Sequence, residues 1–350
     1  FFTRIYTASH WLPKRAAFGC EFEQKHHKFQ RFRIFPKDYG LYFAFFLRHG
    51  ISLAALAGNV KARQYAFMQI TPSVRHLIQL AIEEDLGKGD LTSLAVPTQQ
   101  KAMARLIAKE ECTCSGLWLA QAIIDEAQAD LRVKLSAADG KRVFPQDEIL
   151  VLEGNARAIL GLERTILNFL QRTCGIATQA HKYREALGVH ADRLRLTDTR
   201  KTLPGWRYLD KMAVRDGGLF NHRFGLDSGI LIKENHIRAA GGILAAVKSL
   251  QKQVPHLLQI EVEVTNLTEA FEAIEAGAGA LLLDNFSASD LSETVKKIRT
   301  RAPKILLEAS GGINLKNLTS YADSGVDCIS IGALTHSVPA VDLSLLFNLQ

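Results

Sequence analysis

Cysteine is scarce in this chain: Cys20, Cys112, Cys114, Cys174 and Cys328 are five among 350 residues, odd in number and without zinc-ligand spacing. That scarcity excludes a disulfide-stapled secreted scaffold, and a reducing, cytoplasmic compartment is expected. Long apolar runs are missing too. The run at residues 41–47 is seven residues long and stops at Arg48 and His49, far short of the roughly 18 needed to span a bilayer. No membrane partner is expected. A Gly-rich dinucleotide turn is also absent, because the apolar run LRLT leads into DTRKT, which argues against a doubly wound nucleotide-binding sheet.

Charge of one sign is missing from most of the chain. The formal net charge of +7 resides in residues 1–67, where 11 Lys/Arg face 3 Asp/Glu, while residues 68–350 hold 32 against 33. The same stretch carries 16 of the 28 aromatic residues and no methionine, and composition becomes ordinary at Met68. A basic, acid-poor segment is compatible with a targeting sequence or an RNA-binding arm. With no helical or alternating period in it, residues 1–67 are expected to be a dispensable, disordered or non-native extension, with Met68 the candidate start. No nucleic-acid partner is expected. With 47% apolar and 23% charged residues, the remainder reads as a folded protein, and its length allows about two domains.

From Met68 onward, Val74, Leu77, Ile78, Ala81 and Ile82 recur at helical spacing and end at Gly87, which predicts a first helix. Strand-like runs at 104–108 and 148–153 flank a helical stretch at 117–127, and residues 157–187 again read as helix. This part is expected to be an α/β domain at 68–180. From residue 193 the pattern changes. Runs RLRLT, GILI, LQIEVEV, GALLLD, KILLEA and VDCISI each end in polar residues and lead into an amphipathic stretch. Strands alternating with helices predict a parallel sheet of right-handed βα units, and six or more closing on themselves would form a barrel at 181–350.

In such a barrel the active site gathers at the C-terminal strand ends. The residues there are of three kinds. Arg200 and Lys201, His222 and Arg223, and Lys233 are cations that together imply a multiply anionic ligand, although each alone could sit on a solvated loop. Glu261 and Glu263 alternate on one face of IEVEV, and Asp284 ends the next run. Carboxylates so placed suit a hydrated divalent ion or equally a salt-bridge network. Ser310, Gly311 and Gly312, then Gly332 and Ala333, form glycine-containing turns of the type whose free N–H groups receive phosphate.

At these residues the chain resembles the quinolinate phosphoribosyltransferase family. The resemblance rests on EEDLGKGDLTS at 83–93, GLERTILNFLQRTCGIAT at 161–178, DTRKTLPGWR at 198–207, NHRFGL at 221–226, LIKENHI at 231–237, EVEV at 261–264, LLLDNF at 281–286, EASGGI at 308–313 and ISIGALTHS at 329–337. Nothing in residues 1–67 resembles the family, and Leu219 stands where the family often has a third glycine. The resemblance implies an N-terminal α/β sandwich followed by a seven-stranded parallel α/β barrel. It implies transfer of phosphoribosyl from phosphoribosyl pyrophosphate to quinolinate with release of pyrophosphate and carbon dioxide. Arg164, Thr199, Arg200, Lys201, His222, Arg223 and Lys233 would bind substrate. Glu263 and Asp284 would face the ribose and Mg2+, directly or through water. Ser310, Gly311, Gly312, Ile331, Gly332 and Ala333 would hold the 5′-phosphate. A homodimer or larger oligomer, with Arg164 supplied in trans, is implied as well. A related phosphoribosyltransferase of different base specificity is the alternative.

Overall fold

Thr71 accepts the N–H of Val74 in its side chain and Pro72 opens the helix it caps, so the first described element begins where a capping residue and a preset proline coincide. The structure, a computed structural model, describes residues 70–350. The expectations for residues 1–67, and for Met68 as a start, lie outside the described residues. The first helix is Pro72–Leu86 and ends at Gly87, as its apolar spacing predicts.

Four strands form the first sheet, which is antiparallel: β1 (Lys101–Ala108), β3 (Leu131–Leu135), β5 (Glu148–Asn155) and the last strand of the chain, β12 (Leu343–Leu349), in the order β12-β1-β5-β3. Two short strands, β2 (Cys112–Thr113) and β4 (Arg142–Val143), pair separately. The 31-residue helix Ala156–Ala186, capped by Asn155, packs on β1, β5 and β12. Its buried face, including Ile159, Leu162, Ile166, Phe169 and Leu170, closes one apolar core with Leu106, Leu150 and Leu152. Each such side chain contributes on the order of 1.5–3 kcal/mol by leaving water.

The second sheet is parallel, as the alternating pattern predicts. It holds β6 (Arg195–Thr197), β7 (Ile230–Ile232), β8 (Ile260–Val264), β9 (Ala280–Asp284), β10 (Leu306–Ser310) and β11 (Cys328–Ser330) in the order β6-β11-β10-β9-β8-β7. All six follow the apolar runs. A separate core surrounds them, built from residues such as Leu196, Val262, Leu281, Leu307 and Ile329. Beyond β6 the sheet adds one parallel bridge, Thr197 to Phe220. This bridge is what the described residues offer in place of a full seventh strand. Gly217 and Gly218 precede it, and Asn221 and His222 immediately afterward turn their polar groups onto Asp198.

Two elements cross the expected division at 180/181. The helix Ala156–Ala186 runs through it. The end of the chain also leaves the second region: β12 pairs with β1 from Ala102↔Leu349 to Ala108↔Leu343. Strand β1 has one edge on β5 and would otherwise expose the other as a row of unpaired backbone groups.

Asp216, at the end of the helix Arg207–Asp216, shows how the two regions join. Ser115 Oγ donates to its Oδ2 at 2.6 Å. Burial, aided by the charge of Asp139, pushes this carboxyl up to about 6 despite the Ser115 bond and Arg215. An unfolded aspartate titrates near 4. The folded state therefore binds this proton more tightly, and its stabilising effect is complete below about pH 4 and lost as pH rises through about 6. Asp216→Asn is expected to melt roughly 1–2 °C higher than the unaltered chain at pH 8, the change about 1 kcal/mol produces at this size. At pH 4 the two should melt together. Calorimetric scans at both pH values check this.

Candidate active site

The C-terminal ends of the parallel strands open onto one cleft of about 730 Å³. The exit of β6 brings Thr199, Arg200 and Lys201 to it, the Phe220 bridge brings His222 and Arg223, and β7 brings Lys233. Glu263 of β8 and Asp284 of β9 form the acidic side. The turns after β10 and β11 supply Ser310, Gly311 and Gly312, then Ile331, Gly332 and Ala333. Every sequence-selected site residue except Arg164 and Glu261 lines this cleft. Arg164 is exposed on the helix Ala156–Ala186, outside the cleft.

The cations differ in how they are held. Lys233 Nζ donates to Glu263 Oε2 at 2.8 Å, and its backbone N–H donates to His236 Nδ1 at 3.0 Å at the start of the helix Glu234–Ala240. Arg223 donates through Nη1 to the carbonyl of Gly229 at 3.0 Å. Burial, reinforced by the charge of Arg200, lowers the pKa of Arg223 from its ordinary value, against the opposing charge of Glu261. Arg200 carries a buried Nε with no hydrogen-bond partner. A buried donor left unpaired costs about 1–3 kcal/mol, more on a charged group. An anion entering the cleft can remove that cost.

Glu261 and Glu263 share a face of β8, as their spacing predicts, but occupy different depths. Glu263 is at the rim, whereas Glu261 Oε2 stands 3.6 Å from His222 Nε2 below it. Glu308, in the middle of the apolar run of β10, stands 3.5 Å from the same nitrogen and its Oε1 has no hydrogen-bond partner. Burial and the charge of Glu261 raise the Glu308 carboxyl above its ordinary range, with His222 opposing. On His222, burial disfavours the imidazolium, but Glu261 and Glu308 outweigh it and hold the ring above its ordinary value. Oxygen and nitrogen atoms of these three side chains lie within 4.8 Å of one another. The Arg223 N–H nevertheless donates to His222 Nδ1 at 2.8 Å. That contact leaves Nε2 as the ring nitrogen facing Glu261 and Glu308.

The acidic rim has a different character. Burial and the charge of Glu263 hold Asp284 above the usual carboxylate range, while Lys233 and Lys201 only partly offset them. Two carboxylates on adjacent parallel strands are oxygen donors of the kind that would hold a divalent cation. At the turn after β10, Gly311 has φ +98°, and a side chain there would collide with Asn285. Asn285 itself takes φ 58° and donates its N–H to Ser310 at 2.9 Å. Glycine therefore keeps this turn's backbone open to the cleft.

Glu308 and Asn285 were not selected from sequence. Glu308 could have been found, since it precedes Ser310 by two residues and so shares its face of the strand, as Glu261 does with Glu263. Asn285 carried no such signal.

Among the described residues no helix is long and apolar enough to cross a membrane. Residues 90–174 match the description "Quinolinate phosphoribosyl transferase, N-terminal domain" and residues 176–346 match "Quinolinate phosphoribosyl transferase, C-terminal domain". A Bacillus subtilis protein named probable nicotinate-nucleotide pyrophosphorylase (carboxylating) is 42% identical over 268 residues, covering 75% of this chain and 89% of its own. One of the same name from Synechocystis is 39% identical over 268 residues, covering 77% and 90%. The structure of the nicotinate-nucleotide pyrophosphorylase from Francisella tularensis is 40% identical, covers 79% of this chain and 96% of its own, and superposes with a TM-score of 0.74.

Proposed function

The chain belongs to the quinolinate phosphoribosyltransferase family, and from that premise we propose how its cleft transfers phosphoribosyl from phosphoribosyl pyrophosphate to quinolinate. The reaction is that of the family, giving nicotinate mononucleotide, pyrophosphate and carbon dioxide in NAD synthesis. The observation that carries the residue assignment is the unpaired, buried Arg200 Nε in a cleft it shares with Lys201, His222, Arg223 and Lys233.

Arg200, His222, Arg223 and Lys233 hold the two carboxylates of quinolinate, with Arg164 reaching them from a second subunit of a homodimer or larger oligomer. Thr199 and Lys201 stand between the base and the donor. The backbone at Ser310, Gly311, Gly312, Ile331, Gly332 and Ala333 receives the 5′-phosphate. Glu263 and Asp284 face the ribose and would hold Mg2+, directly or through water. Held there, Mg2+ would supply positive charge to offset that of the leaving pyrophosphate.

The bond from ribose C1 to pyrophosphate breaks as the quinolinate nitrogen forms its bond to C1. Glu263 and Asp284 stabilise the positive charge that develops on the ribosyl centre. The 2-carboxylate then leaves as carbon dioxide, its electron pair stays on C2 beside the now cationic nitrogen, and C2 takes up a proton. Transfer before decarboxylation follows from that charge. Holding both substrates aligned accounts for much of the rate. The parallel sheet with the Phe220 bridge supports a seven-stranded barrel, and the antiparallel sheet under the helix Ala156–Ala186 supports an α/β sandwich. Four buried, unpaired cysteines, Cys112, Cys114, Cys174 and Cys328, support a cytoplasmic enzyme. Turnover of quinolinate with the donor and magnesium, with one carbon dioxide released per nicotinate mononucleotide, tests the reading. No product would sink it.

The shared site has its own test. Arg164→Ala and Lys233→Ala subunits are each expected to be inactive, and mixing them should regenerate activity, because one site of each heterodimer recovers both side chains. No recovery despite proven subunit exchange would remove Arg164 from its assigned role.

A further inference from the structure

Lysine is seldom fully buried, yet Lys211, in the middle of the helix Arg207–Asp216, is only 3% exposed, and its partner Asp198 is 0% exposed. Lys211 Nζ donates to Asp198 Oδ1 at 2.5 Å and to the carbonyl of His222 at 3.1 Å. Asp198 Oδ1 also accepts the backbone N–H of His222 at 2.9 Å. Both polar groups of the His222 backbone are thus held by one buried ion pair. Asn221 is held by the same two residues, its Nδ2 donating to Asp198 Oδ2 at 2.8 Å and to the Lys211 carbonyl at 2.9 Å.

The pair sits where two cationic segments leave the sheet. Asp198 follows β6 and precedes Arg200 by two residues, while His222 and Arg223 follow the Phe220 bridge. Neither Asp198 nor Lys211 lines the cleft. Stability alone does not call for the pair, since well-packed apolar residues in place of a buried ion pair are often as stable or more so. Burial acts against both charges, raising the Asp198 carboxyl and lowering the Lys211 amine from their ordinary values. What an apolar pair could not do is bond the N–H and the C=O of His222 at once.

We infer that Lys211, acting through Asp198, is a positioning residue that fixes His222 and Arg223 relative to Arg200, and so sets the geometry of the quinolinate half of the cleft. The inference rests on the assignment of that half to quinolinate. The turns after β10 and β11, at the other side of the cleft, take no hydrogen bond from this pair.

The test compares the unaltered full chain with Lys211→Met and with the double variant Asp198→Asn/Lys211→Met, which removes both buried charges. Melting temperature, kcat, and KM for each substrate are measured. The double variant is expected to fold and to keep its KM for phosphoribosyl pyrophosphate. It should lose roughly 10²-fold in kcat/KM for quinolinate, the loss that a misplacement of about 1 Å produces. Lys211→Arg, which can still bond Asp198, should recover part of that loss. A folded double variant with unaltered quinolinate kinetics, an equal loss for both substrates, or a double variant that does not fold would each overturn the positioning role. Absence of quinolinate turnover by the unaltered chain is a separate result, and it would strike the functional assignment itself.

Discussion

Nicotinate offered in place of quinolinate is expected to be used roughly 10⁴-fold less well, because sites built to pair a polar group reject analogues that lack it by about that factor. The half of the cleft assigned to the base gathers Arg200, His222, Arg223 and Lys233, and the proposal adds Arg164 from a second subunit. Some of this charge is already answered: Glu263 pairs with Lys233, and Glu261 and Glu308 flank His222. Arg200 Nε has no partner, and Arg223 is held only by a carbonyl. A monocarboxylate leaves one of these cations desolvated and unpaired. The measurement is nicotinate mononucleotide formed from each acid at identical donor and magnesium concentrations, with carbon dioxide counted. Equal use of nicotinate would overturn the assignment of the base half.

Arg200→Ala is expected to lower quinolinate kcat/KM by roughly 30-fold to several thousandfold, since removing one partner of a buried charge pair costs about 2–5 kcal/mol and each 1.36 kcal/mol is tenfold in rate. The loss should be larger than for a rim cation because the Arg200 Nε is buried and reserved. Its backbone role is modest: the Arg200 carbonyl accepts from Thr202 N at 3.0 Å and from Arg207 Nη2 at 3.4 Å, bonds that alanine retains. The melting temperature should therefore move little. A hundredfold kinetic loss accompanied by collapse of the fold would assign Arg200 a structural role instead.

Much of the fold was legible because its elements are short and repeat a local rule. Each apolar run of the second half became a strand, and the residues after each run reached one cleft because parallel strands all deliver their C-terminal ends to the same side. Arg164 was singled out by resemblance alone. Its exposed place on the helix Ala156–Ala186 explains why neither periodicity nor strand position pointed to it. The seventh strand that the resemblance implies is represented among the described residues by one bridge. In the segment from Gly217 to Gly229 only Phe220 pairs with the sheet, and the neighbouring Asn221 and His222 are bonded to Asp198 instead.

Sequence by itself determined the six parallel strands, the first helix and the long helix after β5, and the side of the sheet on which the cleft would form, since periodicity, caps and strand ends are properties of neighbours along the chain. Tertiary structure alone decided that residues 343–349 return to pair with β1, because an open strand edge selects its partner from anywhere in the chain. It also decided which charges go inside. Lys211 and Glu308 look like ordinary surface residues in KMAVRD and KILLEA. Only the convergence of Asp198 and the His222 carbonyl on Lys211, and of the His222 ring on Glu308, supplies the opposing charge and hydrogen bonds that make burying them tolerable, and no local pattern records a partner that lies eleven or more residues away.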